Sequence, residues 1–174
     1  MRRLILLRHA KSDRPAGVAD HDRPLNDRGL RAAPAVGAHL ADEGLRPDLA
    51  LVSTAQRTRE TWEAMAAPLG APETRWQREI YEAPASRILR VIREAPDSAA
   101  TVIVVGHNPG LGDLASDLAG DGPRAARNRL GLEFPTAAYV VIDFDTEHWA
   151  VIAPGQGRLD RFVRPRDIDP DLGG

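Results

Sequence analysis

The chain has 174 residues, of which 43% are hydrophobic and 28% charged, and a net charge of −2; this balance fits one compact domain over residues 1–174 and excludes a disordered or fibrous segment. The absence of cysteine excludes disulfides, thiolate metal sites and cysteine nucleophiles, and a pI of about 6.2 argues against nucleic acid gripped by a broad basic surface. No apolar run approaches the roughly 18 residues of a membrane span, and the N-terminal run is too short for a signal peptide, so no membrane partner and a cytoplasmic location are expected.

Strand and helix signals alternate along the chain. Leu4 to Leu7 is an unbroken apolar run, which suits a strand covered on both faces. "LNDRGLRAAPAVGAHLADEG" follows with apolar residues at helical spacing, Asn26 as N-cap, Asp27 in the first turn and Gly44 as the stop. "PDLALVS" predicts a second strand, and "TAQRTRETWEAMAAPLG" a helix that starts near Ala55 and ends at Pro68 and Gly70. "RWQREIY" is a short strand or connector, and "ASRILRVIREAP" a helix ended by Pro96. "TVIVV", Thr101 to Val105, is the clearest buried strand, with a helix through "LGDLASDLAG" after it. A loop carrying Arg124, Arg127 and Arg129 comes next, and "AAYVVIDF" with "HWAVIAP" predicts two antiparallel strands. The end from Arg164 to Gly174, charged and Pro-rich, is expected to be loosely held. Repeated β-then-α units with an appended hairpin imply a three-layer α/β/α sandwich around a mostly parallel sheet with an antiparallel edge.

In such folds ligands bind beyond the carboxyl ends of the strands. Three exits there are unusual: Arg8-His9 after the first strand, Ser53 to Arg57 after the second, and Gly106-His107-Asn108-Pro109-Gly110 after the clearest one. Two histidines and two arginines from separate exits converge most economically on an anion such as phosphate. A neutral imidazole can attack phosphorus, and neighbouring arginines disfavour a second positive charge while their forked donors hold the oxygens. That chemistry calls for no metal and no cofactor. Asp20-His21-Asp22 has metal-ligand residue types, but consecutive positions point different ways and no further ligands accompany them, so no metal site is expected.

The segments "RHAKS", "DHDRPLNDRG", "STAQRTRET" and "VVGHNPGL" resemble the SixA-type phosphohistidine phosphatases of the histidine phosphatase, or phosphoglycerate mutase-like, superfamily, over most of the chain from Leu4 to about Ala153. The resemblance implies a covalent phosphohistidine on His9 and a phosphate pocket formed by Arg8, Arg57 and His107. Many members have glycine after the histidine and a downstream Asn that contacts phosphate; here stand Ala10 and, near the Asn position, Pro15. The vacated contact falls to Lys11, the only lysine in the chain, or to Ser12, with Asn108 a further substrate-binding candidate. A carboxylate after the second βα unit often serves as the acid in the superfamily; Glu82 occupies that region, and Asp20 or Asp22 are substitutes. Too little chain separates Pro68 from Thr101 for the large cap of bigger relatives, so the site is expected to be open and to admit a phosphorylated protein. A small-metabolite phosphomonoesterase or mutase, and a non-catalytic phosphate-binding module, are the competing expectations; oligomeric state is not legible.

Overall fold

The structure is a computed structural model that describes residues 1–173. Seven strands and six helices alternate: β1 (Arg2–Arg8), α1 (Asp27–Asp42), β2 (Leu49–Ser53), α2 (Gln56–Ala66), β3 (Glu73–Gln77), α3 (Ala85–Arg93), β4 (Thr101–Gly106), α4 (Gly110–Leu118), β5 (Ala119–Asp121), α5 (Arg124–Leu132), β6 (Tyr139–Phe144), β7 (Gly157–Val163) and α6 (Pro165–Ile168). They form one sheet in the order β3-β2-β4-β1-β6-β7-β5. The strands β3, β2, β4 and β1 run parallel, and the antiparallel part lies to one side, where β6 opposes both β1 and β7. No helix among the described residues is long and apolar enough to cross a membrane.

The unbroken apolar run of β1 is explained by the two layers it feeds. Side chains alternate across a strand, so Leu4 and Leu6 enter the core beneath α3, α4 and α5, while Ile5 and Leu7 enter the one beneath α1 and α2. Asn26 caps α1 by accepting from the Gly29 N–H at 3.0 Å. Gly29 is required there, because a Cβ would stand 2.2 Å from the Lys11 carbonyl oxygen.

Three expectations are corrected. The arginine-rich stretch expected as a loop is the helix α5, which buries Ala126 and Leu130 at i, i+4, leaves Arg124 and Arg127 exposed and lays the half-buried Arg129 against Phe162. "HWAVIAP" is not a strand: Trp149–Val151 form a 3-10 turn that sinks the Trp149 ring and donates its indole N–H to the Ala99 carbonyl at 2.7 Å, and the partner of β6 is β7. From Arg164 to Gly173 the end is not loose, and Gly174 lies outside the described residues. Arg164 binds Asp167 and Glu133, Pro165 is buried, and Ile168 packs against the core under α1.

Candidate active site

Strand register brings the polar exits to one edge of the sheet. Arg8 pairs with Gly106 and Val52 with Val105, so the residues that follow, His9, Ser53 and His107, leave the parallel strands side by side. The His9 N–H donates to the Gly106 carbonyl at 3.1 Å. All three side chains are buried, and the rings of His9 and His107 lie 5.4 Å apart. A cavity of about 220 Å³ opens over them, lined by Arg8, His9, Arg57, His107 and Glu82, with Lys11, Ser12 and Asn108 on its wall. The structure thus gathers these candidates around one cavity, which the substitute acids Asp20 and Asp22 do not line. Arg14, Arg23 and Thr136 also line it.

The protonation of His9 follows from its neighbours. Its Nδ1 lies 2.7 Å from the Ala10 carbonyl oxygen, which can only accept, so Nδ1 carries the proton and Nε2 keeps its lone pair. Burial pushes the imidazole down to about 3, and Arg57, Arg8 and Arg23 add to this, against the opposing pull of the Ala10 carbonyl. His9 is therefore neutral at neutral pH. His107 is also lowered to about 3, by burial first and then by His9 and Arg57.

The arginines are held by different means. Arg8 donates to the Phe134 carbonyl at 3.0 Å, and burial followed by the nearby Arg57 lowers its pKa. Arg57 donates to the Asp20 carbonyl at 2.8 Å and to the Asp20 carboxylate at 3.2 Å. That carboxylate also accepts from Arg23 and from the Tyr81 hydroxyl. With the Tyr81 hydrogen bond first and the two arginines after it, Asp20 is held far below the usual carboxylate range. This corrects Asp20 as a substitute acid: it stays ionised at neutral pH and orients Arg57. Asp22 is exposed and lies 3.6 Å from His21.

Among the remaining candidates, Glu82 lines the cavity with its backbone at φ 51°, a left-handed conformation that costs a residue with a Cβ about 1–3 kcal/mol. Gly110 fixes the approach of this segment to α4, since a Cβ there would stand 1.9 Å from the Ala83 oxygen. Ser12 accepts from Arg23 at 2.6 Å and keeps its own proton to give. Lys11 is exposed; its carbonyl accepts from the Asn26 N–H at 3.0 Å, and its ammonium has no hydrogen-bond or ion-pair partner among the described residues. Asn108 has a structural task, donating to the Phe134 carbonyl and accepting from the Gly112 N–H at the start of α4.

Comparison with known proteins places this arrangement. Residues 4–80 match the family described as "Histidine phosphatase superfamily (branch 1)". An uncharacterized protein of Mycobacterium tuberculosis is 38% identical over 162 residues, 92% of this chain and 100% of that one. A candidate phosphohistidine phosphatase SixA from Nakamurella multipartitia superposes with a TM-score of 0.82 at 32% identity, covering 94% of this chain and 96% of the other. The chain belongs to the histidine phosphatase superfamily, in its SixA-type group. The protein histidine phosphatase SixA complexed with tungstate shares the fold at a TM-score of 0.72 and 20% identity, over 96% of this chain and 99% of that one. Tyr81, Ser53 and Thr61, whose hydroxyl accepts from the Ala10 N–H beside His9 at 3.0 Å, carry no role in the sequence reading. The readable signal was Ser53, a hydroxyl at the end of a wholly apolar strand, where a buried polar group needs a partner.

Proposed function

We propose that this superfamily member is a phosphatase that passes the phosphoryl group through His9, and that its substrate is a phosphohistidine borne on a protein. The carrying observation is the Ala10 carbonyl on His9 Nδ1, which leaves a neutral imidazole with its Nε2 lone pair beside a cationic cavity. In the first step that lone pair forms a bond to phosphorus while the bond to the leaving group breaks. The leaving group takes the electron pair, and a proton from Glu82. Arg8, Arg57 and His107 donate to the three oxygens on which charge collects. Water then attacks phosphorus, gives its proton to Glu82, and the Nε2–P bond breaks to release phosphate and neutral His9.

The protein substrate is supported by what occupies residues 67–100. They are spent on β3, two 3-10 turns and α3, whose Ile88, Leu89, Val91 and Ile92 are buried in the core, so this segment supplies no cap over the cavity. A second depression of about 410 Å³ shares Glu82, His107 and Asn108 with the first and offers room for a leaving group beside Glu82. The test is competition between a phosphohistidine protein and compact phosphate esters at equal concentration, read as phosphate release. Higher kcat/KM on the protein is expected, with negligible mutase activity; a clear preference for a small metabolite would replace this reading with that of a small-molecule phosphatase.

A further inference from the structure

We infer that Ser53 is a positioning residue that sets the tautomer of His107, so that a neutral imidazole presents an N–H to the phosphoryl oxygens. Ser53 is wholly buried, and its Oγ lies 2.7 Å from His107 Nε2. That oxygen also accepts from the Ala55 N–H, at 3.3 Å. If Nε2 carried the proton, it would take the remaining lone pair of Oγ and strand the hydroxyl proton in an apolar layer with no acceptor. The arrangement that spends every donor has Oγ–H donating to Nε2. The proton of the neutral ring then sits on Nδ1, and Nδ1 is buried with no partner among the described residues, on a ring that lines the cavity. A phosphoryl oxygen in the cavity is the acceptor this orphan N–H lacks.

The consequence is a donor that does not need to be an imidazolium. His107 faces His9 and Arg8 from the end of β1, Arg57 from α2, Asp20 from the loop before α1, and Tyr81 and Glu82 from the segment before α3. The cations and burial in that set oppose protonation of His107, so a hydroxyl that supplies the N–H without added charge resolves a conflict within the site. The same hydroxyl is tied to the start of α2 through Ala55, and Thr58 accordingly donates to the Ser53 carbonyl at 2.8 Å. The serine is thereby fixed from both sides.

This inference rests on the cavity being the phosphoryl site, and the experiment separates the two. In the wild-type protein, ¹⁵N shifts of the His107 ring near pH 8 are expected to show Nδ1 protonated and Nε2 bare. Inorganic sulfate, a dianion from pH 5.5 to 8, is the oxyanion probe. Ser53→Ala is expected to mix the tautomers and weaken sulfate binding about tenfold at pH 8, the scale of one hydrogen bond to a charged group. The deficit is expected to persist at pH 5.5, because His107, lowered to about 3, is still neutral there and still needs its tautomer set. Ser53→Thr, which keeps the hydroxyl, is expected to retain tautomer and affinity. A wild-type Nε2–H tautomer overturns the inference, and so does a Ser53→Ala deficit that is absent at pH 8 or that Ser53→Thr shows in equal measure. If Ser53→Ala does not fold, the wild-type shifts decide alone. Sulfate failing to bind the wild-type protein at all would instead count against the phosphoryl site, with the tautomer still read directly.

Discussion

The two sides of the sheet are built from similar strands and put to different uses. On the parallel side, β1, β2 and β4 all release their chains at the same edge, so His9, Ser53 and His107 meet without any long loop having to carry them. On the other side β6 runs against its neighbours, and the polar residues of β6, β7 and the flanking segments tie the structure together instead: Arg3 with Asp143 at 2.8 Å, Arg158 with Asp121 at 2.9 Å, Arg164 with Glu133 at 2.9 Å. Parallel direction concentrates side chains of one kind at one edge, and antiparallel direction spreads them over both. Chemistry and stability should therefore separate between the halves.

Four substitutions or conditions break or sharpen that contrast. His9→Ala has the largest effect on turnover: phosphate release should fall by roughly a thousandfold or more, as expected on removing a covalent catalyst, with circular dichroism unchanged. Arg57→Ala comes next, at about 10²–10³ in kcat for the loss of a donor to the developing charge, again with the fold retained. On the opposite side Trp149→Ala reverses the pattern. It empties a wholly buried site and should cost about 3–5 kcal/mol in denaturant unfolding, with kcat per folded molecule unchanged. A loss of kcat there, or a loss of folding at His9, would dissolve the division between the halves.

The fourth effect is in pH. His9 and His107 are lowered to about 3 in the folded protein, against an ordinary value of about 6.5. Below pH 6.5 the unfolded chain takes up protons that the folded one refuses, so their contribution to stability is full above 6.5 and falls as pH drops toward 3. Between pH 7.5 and 4.5 the Tm should therefore decline in the wild-type protein and decline less in a His9→Asn, His107→Asn variant. Carboxylates held low, such as Asp20 and Asp167, lose their contribution at more acid pH, which leaves this window to the histidines. An equal decline in both proteins would deny the two imidazoles their buried, neutral state.

The same contrast governs what could be seen in the sequence. The parallel half was legible because β1 and β4 are buried on both faces and appear as unbroken apolar runs, and because each ends in residues that no core would keep, Arg8-His9 and His107. The other half was not. Trp149 and Val151 looked like strand residues, but the indole N–H needed the Ala99 carbonyl and the turn that reaches it outweighs strand propensity. In α5 three arginines masked two apolar positions, so the periodicity was too thin to be recognised. The tail is ordered by Glu133 and by the core under α1, contacts far away in sequence. Within the site, residue types pointed to the proposed nucleophile and the proposed phosphate donors, whereas the hold of Asp20 on Arg57 and of Ser53 on His107 depends on register between strands and on the loop before α1.

The most direct test of the account is to quench the enzyme in mid-turnover with a ³²P-labelled phosphohistidine protein and map the label by mass spectrometry. An acid-labile, alkali-stable phosphoryl group on His9 Nε2, formed and discharged at the rate of turnover, is the predicted result. Full turnover with no phosphoenzyme, or with the label on another residue, would contradict it.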